Sequence, residues 1–132
     1  MTYTPAQLDR IDALVAEKVM GWKWHNRLLC WVLGGVATLS ETRSKRDYQP
    51  TRSIANAWEV VEHFGVLPVS IDNCWRDVGG ERVSGWTCEI TSHECTGEAT
   101  ASTAPLAICL AALRALGIDV EKEIARGPEV KA

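Results

Sequence analysis

The sequence predicts an α+β fold: a small layered α-β-α domain with two N-terminal helices, a three-stranded antiparallel meander and a C-terminal buried helix. Apolar residues recur at helical spacing before position 65, alternate with other residues in the strands expected between 66 and 101, and form a dense run from Leu106 to Leu116. Helices and strands that occupy separate parts of a chain are typical of α+β domains. Because the chain has 132 residues, one domain over positions 1–132 is expected.

The first helix is predicted to begin after Thr4. This residue is a suitable N-cap, Pro5 suits the first helical position, and Gln7 completes a capping box. A stripe of apolar residues follows at helical spacing: Leu8, Ile11, Leu14, Val15 and Val19. Gly21 is expected to end the helix.

An irregular, tryptophan-rich segment is expected from about 22 to 50, because no period is clear there. It contains three tryptophans and a basic run: Trp22, Trp24, Trp31, Arg43, Lys45 and Arg46. Long segments without regular structure are uncommon in compact domains and often have a function. This segment is therefore a candidate binding region, although packing of its tryptophans is the commoner explanation.

A second helix is predicted from near Thr51, just after Pro50. Its buried stripe is expected to contain four apolar residues: Ile54, Trp58, Val61 and Phe64. Gly65 suits the end of a helix because it adopts the left-handed conformation without strain.

Three strands and a last helix are predicted in the remainder. The strands are expected at 66–75, 82–91 and 98–101, with a turn at Gly79-Gly80 and with Trp86, Cys88 and Ile90 on one face. The last helix is expected to begin at Ser102 or Thr103 and to be buried, because 106–116 is apolar on nearly all sides. Gly117 should end it, and a short turn with a frayed tail is expected after about 121.

Charge and composition exclude some classes of partner. The net charge of −3 and the pI near 5.6 oppose broad binding to nucleic acids or anionic membranes, although they allow a local basic patch. No apolar run is long enough for a membrane span, and no signal-peptide pattern is present, so a cytoplasmic location is expected. Five cysteines without regular spacing do not indicate a disulfide framework.

Four stretches together resemble the phage ABA sandwich domain family. They are 11–22, 48–58, 86–90 and 103–113, and the Tyr-Gln-Pro-Thr-Arg-Ser sequence at 48–53 is the most distinctive. The resemblance implies an α-β-α layered fold, a phage or prophage origin and hence a location in the host bacterial cytoplasm. It implies no catalytic residue. The stretch 23–47 matches weakly.

The strongest candidate for a ligand site is the 48–53 segment. If it opens a helix, free backbone N–H groups and the helix dipole favour an anion there. Arg52 is expected to bind a phosphate, Tyr48 to stack on a base or ribose, and Ser53 to contribute a hydroxyl. Four further residues are candidates for added charge or stacking: Arg43, Arg46, Trp24 and Trp75. The alternative is an ordinary helix cap with a solvated arginine.

Metal and catalytic signals are weak. Cys74, Cys88, His93 and Cys95 are possible zinc ligands, but the paired spacing of structural zinc sites does not occur, so no metal is predicted. No nucleophile, phosphate-loop or dinucleotide-binding motif is present, so neither a catalytic residue nor a cofactor is predicted.

The predicted function is a non-enzymatic, homo-oligomeric binding protein. By analogy with other small phage proteins, it is expected to sequester a small anionic host immune signal, such as a cyclic nucleotide or an ADP-ribose derivative. The first alternative is an adaptor that inhibits a host protein through the tryptophan-rich segment. An RNA-binding module, which the acidic pI opposes, and a nucleotide-cleaving enzyme are the others.

Overall fold

A computed structural model describes residues 3–25, 27, 29–32, 42–63, 69–91 and 96–125. The helices are α1 (Pro5–Leu14), α2 (Ile54–His63), α3 (Ala104–Ala115) and α4 (Val120–Ala125), and a π-helical turn (Val15–Val19) continues α1. Three short strands, β1 (Lys23–His25), β2 (Cys30–Val32) and β3 (Thr42–Ser44), form the smaller sheet. The larger sheet contains β4 (Val69–Val78), β5 (Glu81–Thr91) and β6 (Thr96–Ala101). The predicted α+β fold is confirmed.

The start of α1 follows from its capping residues. The Gln7 amide donates to Thr4 Oγ1 at 3.2 Å, and the Thr4 amide donates to Gln7 Oε1 at 2.8 Å, which confirms the capping box. The predicted stripe turns inward, with Ile11, Leu14, Val15 and Val19 buried and Leu8 packed against the core. Gly21 follows with a φ of +74°.

The smaller sheet occupies the segment that was predicted to be irregular, so that prediction is wrong for β1, β2 and β3. The strands pair antiparallel in the order β1-β2-β3, with Trp24 opposite Trp31 and Trp31 opposite Arg43. Three-residue strands are too short to show an alternating pattern in the sequence. Trp22 and Trp31 are buried, which supports packing as their role.

The predicted buried face of α2 is wrong for Ile54 and Trp58, whereas Val61 packs against the core as expected. Ile54 is 56% exposed and Trp58 is 50% exposed, whereas Ala57 and Val60 are buried. The helix begins at Ile54 rather than near Thr51, and it packs on α3. Its two fully buried residues are small or β-branched, and the larger side chains of Ile54 and Trp58 lie outside. Phe64 and Gly65 lie outside the described residues.

The larger sheet is the predicted meander, in the order β4-β5-β6. Gly79 and Gly80 form the first turn with φ values of +59° and +86°, which glycine adopts without strain. On the inner face Cys88, Ile90 and Ala99 are buried, and Trp86 is half-buried against the core. The predicted shared face of Trp86, Cys88 and Ile90 therefore points inward.

Helix α3 is the centre of the core. It contacts β5 and β6 on one side and α2 and the π-helical turn on the other, which explains why almost all of its residues are apolar. Gly97 of β6 allows the close approach, because a Cβ there would lie 2.1 Å from the Ala111 carbonyl oxygen and 2.3 Å from the Ala115 nitrogen. Helix α3 ends before Gly117, as predicted.

Helix α4 occupies positions at which only a short turn and a frayed tail were predicted, and 126–132 lie outside the described residues. Val120 is fully buried, which holds α4 to the domain. Within the described ranges, every helix is too short or too polar to cross a membrane.

Candidate functional site

Arg52 lies in the turn before α2 and is bound by two carboxylates of α1. Its Nη2 atom donates to Asp9 Oδ1 and, at 3.0 Å, to Asp12 Oδ2. The Thr51 amide donates to Asp12 Oδ1 at 2.8 Å, so both oxygens of this carboxylate are engaged. The 48–53 segment is therefore tied to α1 through Asp12.

Asp12 is unusual for a carboxylate because only 7% of the residue is exposed. Burial raises the pKa of its carboxyl group, since a charge in a poorly solvated place is unfavourable. Hydrogen bonds from Thr51 and Arg52, together with the charge of Arg52, oppose this shift. The sequence analysis missed the contact of Asp9 and Asp12 with Arg52, because no local pattern reveals a partner so far along the chain.

Ser53 acts as a local cap at the start of α2. Its Oγ accepts a hydrogen bond from the Asn56 amide at 3.3 Å, and Asn56 Oδ1 accepts one from the Gln49 amide at 2.9 Å. The structure therefore places Ser53 in the role that the alternative interpretation of this segment expected.

Tyr48 is only 1% exposed and packs against Trp22, with ring centroids 4.5 Å apart. The Arg43 guanidinium lies 5.5 Å from the centroids of both rings and makes a two-pronged ion pair with Glu59, at 2.5 and 3.2 Å. Burial raises the pKa of the Tyr48 phenol. Tyr48 and Arg43 are thus part of a packed cluster, in which the Tyr48 ring faces Trp22 and Arg43.

The two candidate tryptophans lie on different sheets. Trp24, on β1, makes an edge contact with Trp31 at 5.1 Å between centroids, and Lys45 Nζ lies 5.6 Å from the Trp24 centroid. Trp75, on β4, is 66% exposed. The structure therefore brings Trp24 near the basic turn that follows β3, but it places Trp75 on the long hairpin of the larger sheet.

Two clefts adjoin the Arg52 ion pairs. The first, called here the basic-turn cleft, has a volume of about 220 Å³, and its polar wall consists of Asp9, Asp12, Lys45, Arg46, Tyr48 and Gln49. The second, called here the α3 cleft, has a volume of about 360 Å³. Its polar wall consists of Thr51, Arg52, Ser102 and Thr103, and its apolar wall includes Tyr3, Leu8 and Pro105. Arg46 and Arg52, both predicted from the sequence, thus line different clefts.

The first turn of α3 opens at the second cleft. The Thr103 side chain makes no capping hydrogen bond, and the turn contains no acidic residue. The first amide groups of a helix have no acceptor within the helix, and they carry the positive end of its dipole. In this turn Ala104 and Leu106 supply such amide groups, whereas Pro105 has no N–H group. The sequence analysis recognised Ser102 and Thr103 only as a helix start.

Of the four possible zinc ligands, Cys74 and Cys88 are not brought together. Cys74 and Cys88 lie on opposite faces of the larger sheet, since Cys88 pairs with Ile71 and Cys74 pairs with Gly85. Burial raises the pKa of the Cys88 thiol to about 11, whereas Cys74 Sγ accepts a hydrogen bond from Thr87 Oγ1 at 3.3 Å. His93 and Cys95 lie outside the described residues. Within the described part of the chain, no three histidine, cysteine or acidic side chains are grouped as a metal site.

Residues 13–113 match the model of the phage ABA sandwich domain. The structure is similar to the crystal structure of a phage protein from Bacillus cereus ATCC 14579, with a TM-score of 0.60 and 19% identity over 90% of this chain and 95% of the other. No curated protein matches the sequence. The matched residues include α2, the larger sheet and most of α3, and they make up more than half of the chain. The chain therefore belongs to the phage ABA sandwich domain family.

Proposed function

We propose that this phage protein is a non-enzymatic binding protein that holds a small anionic ligand in the α3 cleft. The proposal rests on one observation: Arg52 and the first turn of α3 line the same cleft. A guanidinium and the free amide groups of a helix start are both donors suited to a phosphate. The hydroxyl groups of Ser102 and Thr103 add further donors on the same wall.

Arg52 is held in place for this role. Both of its ion pairs use Nη2, so Nε and Nη1 have no hydrogen-bond acceptor among the described residues. An arginine that is already oriented loses less side-chain entropy when it binds a ligand. The two carboxylates also weaken the local positive potential, and an incoming anion competes with Asp9 for the guanidinium.

The size and lining of the cleft favour an anion with an apolar part. A volume of about 360 Å³ is within the range of small-molecule sites, and Tyr3, Leu8 and Pro105 supply an apolar wall. A nucleotide combines a phosphate with a flat base and fits this composition. We further propose that the ligand is a host immune signal, either a cyclic nucleotide or an ADP-ribose derivative, and that the protein sequesters it in the host cytoplasm.

Calorimetry with cyclic nucleotides and ADP-ribose tests the proposal, using the wild type, Arg52→Gln and Arg27→Gln. Arg27 is exposed and lies in the β1–β2 connection, so its variant is a matched control for the loss of one guanidinium. We expect Arg52→Gln to weaken binding by about tenfold or more, since charge-assisted hydrogen bonds contribute roughly 1.5–3 kcal/mol. Equal affinity of Arg52→Gln and the wild type would contradict the proposed binding of the ligand at Arg52.

Recovery of the ligand separates sequestration from catalysis. A sequestering protein returns its ligand unchanged when it is denatured, so the ligand mass and amount should be the same before and after incubation. Progressive loss of the ligand would instead support the nucleotide-cleaving alternative.

An adaptor role is the second candidate, and exposed aromatic side chains favour it. Ile54 and Trp58 lie one turn apart on α2, where they expose an apolar stripe, and Trp75 is exposed on β4. The adaptor surface would therefore be α2 or the hairpin rather than the tryptophan-rich segment, whose Trp22 and Trp31 are buried. Exposed apolar patches of this kind are common in protein interfaces.

Self-association is a separate proposal that the same stripe supports. Light scattering should give a mass of at least twice 14.5 kDa. Trp58→Lys should lower that mass if α2 forms the interface, whereas a monomeric wild type at high concentration would contradict the proposal.

A further inference from the structure

The α3 cleft and the basic-turn cleft adjoin each other. Arg52 lines the first, Asp9 and Asp12 line the second, and Arg52 Nη2 is hydrogen-bonded to both carboxylates. The boundary between the clefts is therefore a group of three charged side chains. This juxtaposition allows one ligand to contact both clefts.

The three charged side chains of this boundary differ in exposure. The Asp9 side chain is 55% exposed and the Arg52 side chain is 35% exposed, whereas the Asp12 side chain is only 10% exposed. An exposed ion pair contributes little to stability because water solvates both partners. Asp9 can therefore leave Arg52 at little cost, while the buried Asp12 continues to hold the guanidinium in place.

The basic-turn cleft has its own cations. Lys45 and Arg46 follow β3, are exposed, and line this cleft. Arg46 makes no ion pair with a carboxylate of the described residues, whereas Arg43 is bound to Glu59. Each cleft thus has its own positive group. Lys45 and Arg46 line the basic-turn cleft, and Arg52 lines the α3 cleft together with the start of α3.

We infer that the two clefts form one bipartite site for a small molecule with two separated phosphate groups, such as a nucleoside bisphosphate or a dinucleotide. The inference rests on the proposed function of the α3 cleft. One phosphate binds Arg52 and the first turn of α3, and the other binds Lys45 and Arg46. Asp9 lies between these positions, where it repels a phosphate and accepts a hydrogen bond from a sugar hydroxyl group, whereas both oxygens of the buried Asp12 carboxylate are already engaged.

This arrangement distinguishes separated phosphates from adjacent ones. A ligand with adjacent phosphates, such as ADP, places both phosphate groups in one cleft and leaves the other cleft empty. A ligand with a sugar between its phosphates places a hydroxyl donor opposite the carboxylates and an anion in each cleft. The site should therefore prefer the second ligand to the first at nearly equal total charge.

Calorimetry with AMP, ADP and adenosine 3′,5′-bisphosphate tests the preference. We expect the wild type to bind the bisphosphate about tenfold more tightly than ADP, because the second phosphate gains charge-assisted contacts with Lys45 and Arg46. A Lys45→Gln/Arg46→Gln double variant should lose this advantage and bind ADP and the bisphosphate with nearly equal affinity. Arg52→Gln should weaken the binding of all three nucleotides, and the Arg27→Gln control should change none.

The outcomes separate the two proposals. Equal affinity for ADP and the bisphosphate, or an advantage that survives in the Lys45→Gln/Arg46→Gln variant, overturns the bipartite site. If AMP binding still depends on Arg52 in that case, the proposed function stands without the inference. If the wild type binds none of the three nucleotides or inorganic phosphate, both proposals are overturned.

Discussion

Arg52 donates a hydrogen bond to Asp12 at 3.0 Å, and this bond joins the turn before α2 to the buried side of α1. The sequence separates the two residues by forty positions, and only the fold brings them together. The arginine that sequence analysis assigned to a ligand is therefore also a partner of a buried carboxylate. Substitution of Arg52 therefore removes a proposed ligand contact and also a hydrogen bond to the buried Asp12 carboxylate.

Arg52→Ala should lower the free energy of unfolding by about 1–3 kcal/mol, because it leaves the buried Asp12 carboxylate with fewer hydrogen bonds. Urea titrations of the wild type, Arg52→Ala, Asp12→Asn and the double variant measure the coupling of the pair. Additive effects of the two substitutions would contradict a structural role for the bond.

Asp9→Asn should strengthen the binding of inorganic phosphate several-fold. The substitution removes an exposed negative charge that competes for Arg52, and its effect on stability should be small, because the side chain is 55% exposed. Calorimetry at low ionic strength measures the affinity, and Asp119→Asn, an exposed aspartate beside α4, is the matched control. Weaker binding by Asp9→Asn would show that the anion does not displace this carboxylate.

Tyr48→Phe should leave the free energy of unfolding at neutral pH unchanged or raise it by up to about 1 kcal/mol. The buried hydroxyl has no hydrogen-bond partner among the described residues, so its removal relieves a desolvation cost. Packing on Trp22 is kept, because phenylalanine has the same ring. A large loss of stability at neutral pH would reveal a partner for the hydroxyl.

The same variant should be less sensitive to alkaline pH. Burial raises the pKa of Tyr48 above its ordinary value of 10.0, so the unfolded chain loses this proton at a lower pH than the folded chain does. The stability of the wild type should therefore fall as pH rises above about 10. Urea titrations at pH 8 and pH 11 should show a smaller fall for Tyr48→Phe, and equal falls would contradict the burial of an ionisable phenol.

Gly97→Ala should destabilise the domain strongly, because the new Cβ would lie within 2.3 Å of two backbone atoms of α3. Neither the strand nor the helix can relieve this contact by a side-chain rotation, so β6 must move away from α3. Thermal unfolding measures the loss, and Thr100→Ala, an exposed position on the same strand, should have nearly the wild-type melting temperature. A Gly97→Ala protein that melts with the wild type would contradict the close packing.

Ile108→Asp should prevent stable folding, because it places an unpaired charge in the centre of α3, where Ile108 is fully buried. Ile54→Asp makes the same chemical change on α2 at a residue that is 56% exposed and should be tolerated. Circular dichroism and thermal unfolding of the two variants measure the difference. A folded Ile108→Asp protein with an unchanged melting temperature would show that the face of α3 is assigned wrongly.

Features that depend on neighbouring residues were predictable from the sequence. The capping box of Thr4 and Gln7, the turn at Gly79-Gly80 and the end of α3 before Gly117 all follow from residues within one turn of each other. The burial of α3 was also predictable, because a helix that is apolar on all sides has no polar face to expose.

The sequence by itself thus determined the α+β class, the meander and the family, while the tertiary structure decided which faces are covered. Ile54 and Trp58 were expected in the core, but Ala57 and Val60 are the buried residues of α2, and Ile54 and Trp58 are exposed. Only the tertiary structure shows that Asp12 is a buried partner of Arg52 and that Arg46 and Arg52 line two adjoining clefts. The physical reason is that capping and periodicity act over a few residues, whereas burial, ion pairing and cleft formation depend on elements distant along the chain.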